Sequence, residues 1–200
     1  MGVEDLAGVP RETTVDEALV AQLLRADHTA HAALCDRYGP LLNGFAAARL
    51  GGDIERAEDI TAQVFAEACR NIRSFNARKA TLVVWLYGIA RRKILGELRK
   101  SKALKSVPLS QQISAEQMAE VATGDDLATG VVNRLEAERL VAQLTTLLSN
   151  REMEVLMLHY VESFSQSEIG HIIGRSEKAV NSLLRRAKQK ARERLVRDDT

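Results

Sequence analysis

The apolar positions of this chain recur with a helical period almost from end to end. Between Ala18 and Leu42, residues Leu19, Leu23, Leu24, Leu34, Tyr38 and Leu41 fall at helix-compatible spacing, although Pro40 should kink or interrupt the run. Gly51-Gly52-Asp53 reads as a break followed by a helix N-cap. A helix over about 54–72 would bury Ala57, Ile60, Val64, Ala68 and Ile72 and leave Asp59, Gln63 and Glu67 as a polar stripe on its other face. Asn76 to Lys79 reads as a loop, and Leu82 to Lys100 as the next helix. Further helices are predicted at roughly 134–148, 151–162, 166–173 and 177–196. Thr14 with Glu17, Ser149 with Glu152 and Ser165 with Glu168 each fit a capping box. Residues 101–133 differ: no strong apolar stripe supports independent packing there, so the segment reads as a linker. The pattern predicts an all-α chain of two small helical domains joined by a flexible acidic linker, with bounds 1–15, 16–100, 101–133 and 134–200.

Composition agrees with two small domains. The 200 residues are 46% hydrophobic and 28% charged, which is ordinary globular balance. No apolar run reaches the roughly 18 residues needed to span a bilayer, and the acidic start lacks the blocks of a signal peptide. Two cysteines, Cys35 and Cys69, make no disulfide framework. A cytoplasmic protein without membrane insertion is therefore expected.

Charge changes the picture more. Residues 86–105 hold seven basic side chains against Glu97 alone, and residues 174–197 hold nine against Glu177 and Glu193. Residues 106–138 run the other way, with six carboxylates against Arg134. Two basic blocks separated by an acidic stretch suit two surfaces for a polyanion; solvated helix faces are the plainer alternative. The second block lies on a recognisable motif. Ser165 to Ile173 forms a short capped helix with Ile169, Ile172 and Ile173 on one face, Gly174 supplies a turn, and Ser176 can cap a basic helix. That helix turns Val180, Leu184 and Ala187 inward and Lys178, Asn181, Ser182 and Arg185 outward. This is a helix-turn-helix, with an ordinary helical hairpin as the competing reading.

Catalytic signals are weak. His28, His31 and Cys35 share a helix face, but zinc would need a fourth ligand or a water. No phosphate loop, nucleophile elbow or zinc-protease helix occurs. The expectation is a non-enzymatic protein with no metal and no cofactor.

Leu147 to Leu156, then Tyr160 to Ser165 and Glu168-Ile169, resemble the C-terminal DNA-binding domain of bacterial RNA polymerase sigma subunits. Upstream, Ala57 to Phe65 and Trp85 to Arg91 resemble the other principal domain of that family. The ordered pair with a short acidic linker resembles the extracytoplasmic-function group. The resemblance covers roughly residues 20–100 and 135–196.

It implies roles that spacing alone does not. The helix matching 55–72 docks on the clamp helices of the largest polymerase subunit, which makes Asp59, Gln63 and Glu67 the core-polymerase candidates. The segment matching 73–100 reads and opens the −10 element. Asn76, Arg78 and Lys79 occupy its base-capturing loop, and Arg91, Arg92 and Lys93 would hold phosphates. Trp85 is read as mainly core. The −35 candidates are Arg175, Lys178, Asn181, Ser182, Arg185, Arg186 and Lys190. Implied partners are core polymerase (clamp helices and flap), promoter DNA and an anti-sigma factor. The chain departs from the family pattern at Arg92, where asparagine is common, at Gly96, where aspartate is common, and at Asn181 and Leu183, where many relatives are basic. The expected function is a promoter-specificity subunit. A stand-alone helix-turn-helix regulator and a helical adaptor that sequesters a transcription protein are the alternatives.

Overall fold

The structure is a computed structural model that describes residues 13–104 and 147–198. The linker expected at 101–133 and the helix expected at 134–148 lie almost wholly outside the described residues, as does most of the N-terminal extension. Among the described residues the fold is all-helical: α1 (Thr13–Leu24), α2 (His28–Arg49), α3 (Ile54–Asn71), a 3₁₀ turn (Ile72–Ser74), α4 (Leu82–Leu104), α5 (Asn150–Tyr160), α6 (Gln166–Ile173) and α7 (Glu177–Asp198).

Local chemistry sets most of these boundaries. Asp27 caps α2 by accepting from the Thr29 amide at 2.9 Å, and Asp53 caps α3 by accepting from the Arg56 amide at 3.1 Å. Gly51 and Gly52 take positive φ, 76° and 80°, where a side chain would be strained. The boxes at Ser149–Glu152 and Ser165–Glu168 both close reciprocally. Helix α1 is already helical at Thr13, one residue before the start that Thr14–Glu17 suggested, and the Thr14 side chain lies outside the described residues. Pro40 does not end its helix. α2 runs on through it, since Tyr38, Leu42 and Phe45 on either side are 0–1% exposed and their burial outweighs one missing backbone bond.

Helices α1 to α4 form one bundle. Leu34, Tyr38, Leu42 and Phe45 from α2 meet Ile60, Val64 and Ala68 from α3 and Leu86, Ile89 and Ile94 from α4. Tyr38 donates a hydrogen bond to Asp16 and thereby ties α1 to α2. Helices α5 to α7 form the second bundle around Val155, Leu158, Ile169, Ile172, Val180 and Leu184, and this core is continuous with the first. Ala48 of α2 adds a second patch with Leu148, Met153, Met157 and Ala187.

One ion pair inside the second bundle makes a testable prediction. Glu152, 4% exposed, caps α5 and also accepts from Lys190 Nζ of α7 at 2.8 Å. Burial alone would raise its carboxyl, but the Lys190 ammonium and the Ser149 hydroxyl and amide outweigh it and hold the group at about 2. A depressed carboxyl contributes stability above its unfolded value, lost as pH falls through the folded one. Lys190→Gln should therefore lower the melting temperature at pH 7, and the deficit should shrink as pH falls from about 4.5 toward 2. An equal deficit at both ends of that range would show that the pair does not stabilise the bundle.

Candidate nucleic-acid interface

The C-terminal bundle builds its helix-turn-helix from a close crossing. Gly174 sits in the left-handed region at φ 68°, ψ 44° and ends α6, with its amide bonded to the Gly170 carbonyl. The Arg175 amide bonds to the same carbonyl at 2.9 Å. The Ser176 hydroxyl accepts from the Ala179 amide at 3.3 Å and starts α7. Gly170 is where α6 meets this turn: a Cβ there would lie 2.7 Å from the Arg175 carbonyl oxygen. Val180, Leu184 and Ala187 point inward as expected, all at most 3% exposed.

The polar side of α7 divides in two. Asn181 and Arg185 are exposed and, with Gln166, Lys188 and Arg192, line an open groove of about 490 Å³. Arg175, Ser182 and Arg186 instead face α4 across a second cleft. Lys178 is exposed. Lys190, also among the −35 candidates, is paired with Glu152. No local pattern in α7 could have shown this, because its partner lies 38 residues away.

The N-terminal candidates are also only partly free. Asn76, Arg78 and Lys79 are exposed on the loop before α4, where the Asn76 side chain accepts from the Arg78 amide at 2.9 Å. Beneath the loop is an apolar pocket of about 280 Å³, lined by Val20, Leu24, Phe75, Ala80 and Leu82 among others. Trp85 is half-buried and packs on Phe75, ring centroids 5.4 Å apart. Asp59 and Gln63 are exposed on α3, but Glu67 pairs with Arg92 at 2.9 Å and Lys93 at 2.8 Å. The Lys93 hydrogen bond is the main reason that its carboxyl is lowered. So the expected docking stripe and the expected phosphate cations are joined at one end.

Arg91 is held across the two bundles. Its Nε and Nη2 grip the Glu154 carboxylate at 2.8 and 3.0 Å, a bidentate fork of the strong kind. One turn back on α4, the Tyr87 hydroxyl donates to Glu162 Oε2 at 2.6 Å. The Tyr87 ring lies 4.6 Å from Phe45 and 4.8 Å from Phe164 between centroids. Burial raises both Tyr87 and Glu162. Arg49 is buried behind them. Its guanidinium stacks 3.6 Å over the Phe45 ring and bonds the Phe45 carbonyl at 3.3 Å, while Nη2 has no partner among the described residues. Burial lowers its pKa, opposed by the charges of Glu154 and Glu162. Sequence reasoning missed Glu154 and Glu162, since their partners Arg91 and Tyr87 stand 63 and 75 residues earlier in the chain, and it missed Arg49, whose burial is a product of the packing around it.

Elsewhere, His31 Nδ1 lies 3.8 Å from Cys35 Sγ, and among the described residues no group of three or more side chains could hold a metal ion. No described helix is long and apolar enough to cross a membrane.

Two family models match in the order of the two bundles: Sigma-70 region 2 over residues 34–103, and Sigma-70, region 4 over residues 138–190. The chain belongs to the extracytoplasmic-function sigma factors of RNA polymerase. Its relatives include the ECF RNA polymerase sigma factor SigW of Bacillus subtilis, 25% identical over 88% of this chain and 94% of that protein. BldN of Streptomyces coelicolor is 26% identical over 90% of this chain and 66% of its own length. SigL of Mycobacterium tuberculosis is 27% identical over 84% of this chain and 85% of its own. The fold matches the structure of CnrH in complex with the cytosolic domain of CnrY, with TM-score 0.61 and 24% identity over 92% of this chain and 99% of that one. This sigma factor is thus a promoter-recognising subunit that binds core RNA polymerase and promoter DNA.

Proposed function

We propose that this sigma subunit divides promoter recognition between its bundles as the residues above suggest. Asp59, Gln63 and Glu67 of α3 dock on the clamp helices of the largest polymerase subunit, and the C-terminal bundle engages the flap. Asn76, Arg78 and Lys79 meet the −10 element, while Arg91, Arg92 and Lys93 take its phosphates once their carboxylate partners release them. On α7, Lys178, Asn181, Ser182 and Arg185 read the −35 element, and Arg175 and Arg186 hold its backbone. The protein acts in the cytoplasm under an anti-sigma partner; that CnrH was solved with the cytosolic domain of CnrY supports a protein partner of this kind.

The observation that carries the reading is the α6–turn–α7 geometry, which presents Asn181 and Arg185 on an open face near the start of a basic helix. Its test is transcription by holoenzyme, assembled from purified core polymerase, on a panel of −35 variants. Arg185→Ala should change the ranking of the variants, because a lost base contact costs about 1–3 kcal/mol at one position. Arg192→Ala, on an exposed side chain further along the helix, should weaken all variants alike and reduce the salt slope by about one unit. Arg192 is a cleaner phosphate probe than Lys190, whose loss would also remove the partner of Glu152. Uniform losses from both variants would count against base reading by this face.

A further inference from the structure

The cleft between α4 and the C-terminal bundle gathers two arginines of the −35 set, Arg175 and Arg186, with two that promoter reading does not use, Arg99 and Arg151. It measures about 710 Å³ and has an arginine among its lining residues on every side: Arg99 on α4, Arg151 on α5, Arg175 in the turn and Arg186 on α7. Its carboxylate, Glu154, is consumed by the fork from Arg91. No side-chain hydrogen bond or ion pair among the described residues engages the other four, which are all exposed. Four like charges around one cleft raise the local concentration of anions. Between the guanidiniums the wall is apolar, with Leu95 and Leu183 facing one another's helices.

We propose that this cleft binds a nucleoside polyphosphate. Guanidinium forks match phosphate oxygens bidentately, four of them suit a triphosphate better than a single phosphate, and the cleft volume is that of a small-molecule site. The apolar wall gives the base a surface that an inorganic polyphosphate could not use. Because the arginines come from both bundles, the ligand bridges α4 to α7. It also occupies Arg175 and Arg186, two of the −35 candidates, so ligand and promoter DNA compete. The inference goes beyond promoter recognition and does not depend on it.

The test is calorimetric titration of the full-length protein with ATP and, separately, with inorganic triphosphate. One saturable ATP site per chain is expected, with triphosphate weaker by about tenfold, the equivalent of about 1.4 kcal/mol from the base. The double variant Arg99→Gln, Arg151→Gln should weaken ATP by about a hundredfold, two lost charge-assisted contacts at about tenfold each. Both side chains are exposed and lie outside the −35 set, so circular dichroism and the ranking of −35 variants should be unchanged. Absence of a saturable ATP site, or ATP binding indifferent to the double variant, would overturn the proposal. Equal affinity for the two ligands would overturn its nucleoside part. None of these failures would touch promoter reading by Asn181 and Arg185, which face the other way.

Discussion

Gly170→Ala is expected to cost the protein its −35 recognition while leaving the docking of α3 on core polymerase in place. Helix propensity alone predicts the opposite sign, since alanine is better than glycine by about 1 kcal/mol inside a helix. At this position the added methyl would meet the Arg175 carbonyl oxygen at 2.7 Å and the Glu177 amide nitrogen at 3.6 Å. Both neighbours are backbone, so no rotamer can swing aside. The turn must open and α7 must shift relative to α6. Overpacking of this kind costs about 1–3 kcal/mol, enough to cancel the propensity gain and displace the reading helix. Denaturant unfolding should show the loss of stability, and footprinting by holoenzyme should lose the −35 half of the protected region. A more stable variant with an intact footprint would mean that this crossing is looser than its geometry implies.

The second large effect lies at the junction of the bundles. Arg91→Glu or Glu154→Arg alone should part α4 from α5 and expand the particle in solution scattering, because each leaves like charges facing one another in a half-buried site. The two side chains are only 20% and 14% exposed, so screening by solvent is modest. Breaking a fully buried pair costs about 3–5 kcal/mol; partial exposure brings the expectation to about 2 kcal/mol. The double exchange should restore the compact particle, with a coupling of about 1–2 kcal/mol in a double-mutant cycle. If both single variants stay as compact as the parent, Arg91 and Glu154 do not hold the bundles together. In the same experiment Arg91→Glu should lose −10 binding and Glu154→Arg should not, which separates the two jobs of this arginine.

The helices were legible because their signals are local. Asp53 after two glycines, and serines three residues before Glu152 and Glu168, state where a helix begins within a few residues of sequence. The inward face of α7 followed from period alone. What sequence could not supply was pairing over distance. Glu67 stands four residues after Gln63, yet α4 brings Arg92 and Lys93 onto it and removes it from the solvent stripe. Lys190 sits among basic residues that look alike on a helical wheel, and only the packing of α7 on α5 singles it out for Glu152. Arg91 carried a family role toward DNA, and nothing near it in the chain announces a carboxylate 63 residues later. The family resemblance located the parts; tertiary packing decides which of them are engaged with one another.

Arg49 gives the junction a direction. While α4 and α6 are in contact, its guanidinium is kept from water with one nitrogen unmatched, beside a glutamate that burial pushes toward its neutral form. Withholding hydration from a charged group costs several kcal/mol, and whatever part of that burial the C-terminal bundle imposes is returned when the bundles separate. The apolar contacts around Phe164 therefore work against a compressed spring. A partner that competes for either surface would gain that hydration as the bundles part, which lowers the work of separating the two halves of this sigma factor.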